Sequence, residues 1–200
     1  MRERGKETRQ HILRAAEQVF AERGYAGARM DEVATKVGIK RASMVYYFRD
    51  KRSLYIALLE DVFGALLQLH QRVLAGPGSA RERILGSLDV WADAVAERPG
   101  VVRILLWEAA RVRRGSAAQQ PLAAETDPIL STISDAIAAG QREGSFRQAV
   151  DPLRFLMIVT GATAFLTLGM RVMTSGAAPL NATQLRSELR TLVLRLLTDD

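Results

Sequence analysis

The stretch from Arg29 to Lys51, RMDEVATKVGIKRASMVYYFRDK, constrains this chain more than any other. Read as helix, tight turn, helix, it places apolar residues at Val33, Val37, Ile39 and Met44. Ala34 falls where the two helices must approach closely, and Gly38 where the turn needs a backbone able to take φ > 0. Lys40, Arg41, Ser43 and Tyr46 then line the outer face of the second helix, the pattern of a helix-turn-helix that reads DNA. An ordinary αα-hairpin in a helical core would need only the apolar spacing. The Lys/Arg/Ser/Tyr face favours DNA.

The charge distribution points the same way. Residues 1–55 carry 13 Lys/Arg against 7 Asp/Glu, a net of +6, whereas residues 56–200 carry 15 of each. The basic excess therefore sits with the helix-turn-helix, as expected of a polyanion-facing module joined to a neutral one. A basic face for acidic lipids is the rival, but no strongly amphipathic Lys-rich helix with aromatics supports it. Two hundred residues suit one large domain or two small ones, and 48% apolar with 25% charged content is that of a soluble globular protein. There is no cysteine, so neither a disulfide nor a thiolate metal site can form. The charged start, MRERGKETRQ, lacks an apolar export segment, so a cytoplasmic location is expected.

Periodicity predicts an all-α chain. A first helix over about Thr8–Arg23 repeats Ile12, Leu13, Ala16, Val19 and Phe20, with Gly24 as its stop. Helices follow over about Met30–Val37 and Arg41–Tyr47. Asp50 caps a long helix reaching about Leu74, which Gly76-Pro77-Gly78 ends. Ser79 and Glu82 form a capping box for a helix with Ile84, Leu88, Trp91 and Val95 on one face. The next helix, about Val101–Arg114, precedes a loop from Gly115 to Glu125. Asp127-Pro128 and Asp151-Pro152 each set an N-cap before an N1 proline, which predicts helices to about Glu143 and Met173. A loop over Gly176–Asn181 leads to a last helix, about Thr183–Leu197, with Leu185, Leu189, Leu192 and Leu196 as its stripe. Phe155 to Met170 carries no charge but is too short and too rich in threonine and glycine to span a membrane.

ETRQHILRAAEQVFAERGY followed by MDEVATKVGIKRASMVYYFRDKRSLYIALLE resembles the N-terminal domain of the tetracycline-repressor (TetR) family of bacterial transcriptional regulators. The likeness covers roughly residues 7 to 60. It implies a dimer of nine-helix subunits: helices 1–3 bind double-stranded operator DNA, helix 4 links the domains, and the last two helices pack against the partner. It also implies a small-molecule effector that enters the larger domain and releases the operator. By the resemblance, a DNA-binding domain covers residues 7–55, with the helix-turn-helix at about 29–49, and an effector-binding and dimerisation domain covers 56–200.

Carried over residue by residue, Tyr47 matches an aromatic whose hydroxyl meets phosphate. Lys51 matches a lysine that opens helix 4 on the DNA backbone. Thr8 and Arg9 match the pair opening helix 1. Arg41 and Ser43 match positions at the start of the reading helix. The chain departs from the family pattern at Ala28-Arg29, at Lys40 in place of a Ser N-cap, and at Val45-Tyr46 in place of a Tyr-His pair. Phosphate contacts are therefore expected from Lys51, Tyr47, Thr8 and Arg29, and base contacts from Lys40, Arg41, Ser43 and Tyr46.

In the second domain, Trp91, Trp107, Phe155, Met157 and Phe165 are candidates to line an apolar effector pocket, although any one such residue is more often part of a core. Glu108, an acid among apolar neighbours, needs a partner: Arg111 at i+3 or a cationic ligand. No cofactor is expected. His11 and His70 are the two histidines, and neither has a nucleophile or acid at a recognisable catalytic spacing, so an enzyme is not expected. An architectural DNA-binding protein without effector is the remaining alternative.

Overall fold

The computed structural model describes residues 2–111, 121–169 and 180–198. Every regular element among them is helical. The chain divides into two compact units, Met1–Gly64 with Arg103–Glu125, and Ala65–Val102 with Thr126–Asp200.

The first unit opens with α1, Arg2–Gly27, which starts six residues ahead of the expected Thr8. Its regular winding breaks at Gly24, at φ 65° and ψ 174°, a conformation open in practice only to glycine. Helices α2 (Met30–Val37) and α3 (Arg41–Tyr47) follow with the expected bounds. Helix α4 (Lys51–Leu59) begins in a capping box in which Asp50 accepts from Ser53 N–H and Ser53 Oγ accepts from Asp50 N–H. It runs through a π-helical turn, Glu60–Gly64, into α5, Ala65–Leu74. Helix α1 packs on α2 and α4. Ile12, Leu13, Ala16, Val19 and Phe20 meet Val33, Met44, Leu54 and Leu58 in one core, all of them at most 1% exposed. Phe20 lies edge-on to Tyr55 at 4.8 Å, and Tyr25 lies 4.9 Å from the same ring. Each such aromatic contact adds about 0.5–1.5 kcal/mol to the burial itself.

Helix α7 (Gly100–Arg111) contributes its residues from Arg103 onward to this unit. Ile104 and Glu108 are buried, and Trp107 Nε1 donates to Ala21 O at 3.1 Å.

In the second unit α6, Ala80–Glu97, starts in the expected Ser79–Glu82 capping box and buries Ile84, Leu88, Trp91 and Val95 against α5 and the last helix. Helix α9 (Pro152–Ala164) opens on Asp151 and Pro152 as expected, with Asp151 accepting from Arg154 N–H, and passes into a π-helical turn, Phe165–Gly169. Helix α10 (Ala182–Leu197) is capped by Asn181 and Gln184. Its buried stripe is Leu185, Leu189, Val193 and Leu197, not the expected Leu192 and Leu196, because it keeps an i+4 step throughout. Arg186 and Arg190, one turn apart, pair with Asp93 and Asp89 of α6.

Helix α8 corrects a further expectation. It runs from Pro121 to Arg142, so Pro128 lies inside it and Asp127 does not cap its start. Pro121 already provides the N1 proline, Leu122 to Glu125 are good helix formers, and the helix forgoes one i→i−4 bond at Pro128. The expected loop thus ends by residue 121. Its start at Gly115, the extension to Met173 and the Gly176 loop lie outside the described residues.

Candidate nucleic-acid interface

The turn between α2 and α3 has the chemistry its sequence requires. Gly38 sits at φ 74° and ψ 28°, its N–H donating to Thr35 O at 3.1 Å, and Ile39 N–H returns to Ala34 O at 3.0 Å. This pair of bonds satisfies the last carbonyls of α2 in a Schellman closure. Ala34 is buried at 3% exposure. Helix α3 then seats one face through Met44, with Phe48 closing its end, and turns the other face outward.

That outward face is the expected one. Lys40, Arg41, Ser43 and Tyr46 are all exposed, and Tyr46 reaches 86%. Tyr47 is half-buried and meets Tyr46 edge-on at 5.3 Å. The Arg9 guanidinium lies 5.3 Å above the Phe48 ring, so the start of α1, with half-buried Thr8, stands beside the end of α3.

Lys51, Arg41 and Arg29, all expected contact residues, are already engaged by the protein. Lys51 Nζ donates to Ala26 O at 3.2 Å and Ala28 O at 3.1 Å, and lies 4.8 Å from the centre of the Tyr25 ring. It thereby satisfies carbonyls left open where α1 ends, a task its position at the start of α4 does not announce. Arg41 Nη1 donates to both carboxylate oxygens of Asp31, each at 2.7 Å, and Arg29 Nη2 lies 3.7 Å from the same carboxylate. The hydrogen bond from Arg41 holds the Asp31 carboxyl below its ordinary range. Arg29 and Lys40 are the N-cap residues of α2 and α3, and neither makes a side-chain cap. Asp31 was not singled out by sequence reasoning: it stands ten residues from Arg41, and only the turn brings the two together.

The candidate effector residues are divided between the two units. Trp91 is buried in the second unit, its Nε1 donating to Thr163 Oγ1 at 2.9 Å. Phe155 is buried there too. Met157 and Phe165 are 65% and 63% exposed, on one face of α9 and its π turn with Leu153. Trp107 and Glu108 belong to the first unit. Trp107 is 45% exposed, and Glu108 is buried and accepts a hydrogen bond from Tyr55 Oη at 2.9 Å. The side chain of Arg111 lies outside the described residues. The buried polar pair that sequence reasoning left unassigned is His70 with Ser87, 2.7 Å from Nδ1 to Oγ, where burial lowers the imidazole pKa to about 4.

Comparison with known proteins agrees with this architecture. Residues 12–58 match the profile of bacterial regulatory proteins, tetR family, and residues 81–195 that of a tetracyclin repressor-like C-terminal domain. The chain is 29% identical over 146 residues to the HTH-type transcriptional repressor NicS of Pseudomonas putida, covering 72% of this chain and 68% of that protein. It is 26% identical over 191 residues to the HTH-type transcriptional repressor SCO4008 of Streptomyces coelicolor, 94% of each. The transcriptional regulator FadR from Bacillus subtilis, solved in complex with stearoyl-CoA, shares the fold at a TM-score of 0.70 and 17% identity, over 92% of this chain and 97% of that one. The two profiles occur in order and together span most of the sequence: the chain belongs to the tetR family of bacterial transcriptional regulators.

Proposed function

We propose that this regulator is a repressor that reads a double-stranded operator through α3 and leaves it when a small molecule binds. The observation that carries the reading is the outer face of α3. Lys40, Arg41, Ser43 and Tyr46 stand exposed on a helix whose other side is fixed by Met44. Arg and Lys can donate to guanine O6 and N7, and tyrosine can meet a thymine methyl. Tyr47, Thr8, Arg29 and Lys51 take the phosphates, which supply affinity and register. An ammonium has three donors; Lys51 spends two on Ala26 and Ala28, and the third is offered to the DNA backbone.

The repressor sign follows NicS and SCO4008, both named as repressors. The effector follows the C-terminal match and the stearoyl-CoA bound to FadR. In this chain the second unit, with Trp91 and Thr163 in its interior, is the receiver. A homodimer forms through α9 and α10, where Leu153, Met157 and Phe165 leave an apolar stripe uncovered. The protein works in the cytoplasm, where its DNA lies.

The test compares Arg41→Ala with Lys51→Ala on a duplex selected by the wild type from a randomised library. Arg41→Ala relaxes base discrimination by about 1–3 kcal/mol. Lys51→Ala weakens every sequence alike and flattens the salt dependence. Wild-type discrimination and salt slope in both variants would contradict the reading.

A further inference from the structure

We propose that Asp31 is a positioning residue for base readout: its carboxylate fixes the Arg41 guanidinium so that the remaining donor edge can address one base pair. The inference rests on the DNA-reading role of α3 proposed above and adds a residue from α2 to it.

The geometry sets out the division of labour. Arg41 uses a single nitrogen, Nη1, for both oxygens of Asp31. Nε and Nη2, which lie along the other edge of the planar guanidinium, make no hydrogen bond among the described residues. Those two N–H groups form the fork that matches guanine O6 and N7. Arg41 is the first residue of α3, and its side chain remains 64% exposed while it is held. The anchor is a residue of α2, and the guanidinium it holds stays largely accessible.

The energetic case is one of preorganisation. An unrestrained arginine gives up rotamer freedom when it is fixed. A carboxylate that has already fixed the ring plane removes part of that cost from the binding step. An exposed ion pair adds little to folding stability. The contribution of Asp31 therefore lies in binding rather than in the fold. Its charge also has a cost: a carboxylate close to the DNA repels phosphates, and Arg29, 3.7 Å away, offsets this.

The test uses the full chain, a duplex library with a randomised core, and the duplexes it yields with single base-pair changes. Asp31→Asn, Arg41→Ala and the double variant are compared, with circular dichroism to verify that each is folded. The expected result is that Asp31→Asn lowers discrimination at the Arg41-dependent base pair by about fivefold or more. Affinity for unrelated duplex stays equal or rises, because a negative charge has been removed. In the Arg41→Ala background, Asp31→Asn changes discrimination no further, and Asp31→Glu, made alone, retains part of the discrimination that Asp31→Asn loses.

Wild-type discrimination in Asp31→Asn would overturn the proposal and leave the pair as a surface contact. Sharper discrimination in Asp31→Asn would overturn it in the other direction, because the carboxylate would then compete with DNA for Arg41. A wild type that enriches no sequence, or an Arg41→Ala variant with unchanged selectivity, would instead remove the underlying reading of α3 and this proposal with it.

Discussion

The hydroxyl of Tyr55 donates to Glu108 Oε1 at 2.9 Å, joining α4 to α7 inside the first unit. Both residues are 2% exposed. A buried carboxylate is tolerated only where donors satisfy it, so this bond is part of what allows an acid in the LLWEAARV segment. Tyr55→Phe removes the donor while preserving the ring that meets Phe20 and Tyr25, and costs about 1–3 kcal/mol of stability. Glu108→Gln costs less, because an amide oxygen still accepts. Urea unfolding midpoints at unchanged m-value check both; equal midpoints for Tyr55→Phe and wild type would show that the bond adds nothing.

Gly24 and Trp107 are matched in the same unit. A Cβ built at Gly24 would meet the Trp107 ring at 3.1 Å, and the backbone there has φ 65°. Gly24→Ala combines a disallowed backbone with a tight ring contact, and destabilises by about 1–3 kcal/mol. The same change at half-buried Gly5, where an added Cβ would meet nothing within 4 Å and which lies within helical α1, stabilises by a fraction of that, about 0.5–1 kcal/mol. Thermal melts of the two variants must move in opposite directions.

Acid sensitivity has its source in the second unit. The pKa of His70 falls from an ordinary 6.5 to about 4 on folding, because burial disfavours the imidazolium. The unfolded chain therefore binds this proton first. The stability that neutral His70 allows is complete above pH 6.5 and is lost as pH falls toward 4, by a total on the order of 3 kcal/mol. His70→Asn removes the titration and flattens the dependence between those limits. Denaturant midpoints measured across that range check it; parallel curves for variant and wild type would refute it. The capping carboxylates of Asp50 and Glu82, held low by the Ser53 and Ser79 backbone N–H groups, act only in more acid solution.

The apolar stripe on α9 gives a prediction for assembly. Leu153, Met157 and Phe165 are spaced to share a helix face, with exposed Gly161 between the last two. Met157→Lys with Phe165→Asp removes most of the apolar area from that face and puts charges in its place. The double variant sediments as a monomer at concentrations where the wild type is a dimer, while its helical content stays unchanged. A variant that remains dimeric would move the partner contact elsewhere.

What the sequence disclosed, and what it withheld, divides along a physical line. The bounds of α2 and α3 were legible because Gly38, Met44 and the apolar spacing act within a few residues of one another. The caps at Asp50, Ser79 and Asp151 were legible for the same reason. Pro128 misled because an Asp-Pro pair favours a helix start only where no earlier start competes, and Pro121 does compete. The α10 stripe drifted because Val193 and Leu197 were as apolar as the leucines chosen beside them. Partners separated in sequence could not be read locally. Lys51 with Ala26 and Ala28, Arg41 with Asp31, and Trp107 with Ala21 exist only once the helices have packed. The expected effector set is divided between the units for a related reason: an apolar residue at helical spacing does not declare which neighbour it faces. Met157 and Phe165 ended on an outer face, and Trp107 and Glu108 in the first unit.

The most direct test of the central claim is selection of duplex DNA by the wild-type chain from a library with a randomised core, followed by sequencing of what is retained. A two-fold dimer reading through α3 predicts one enriched, two-fold-symmetric motif whose half-sites lie about one helical turn, or a multiple of it, apart. Its affinity falls steeply with salt, and Arg41→Ala blurs the motif at one position in each half-site. Retention in proportion to duplex length, with no motif enriched, would contradict the account and leave an architectural DNA-binding protein in its place.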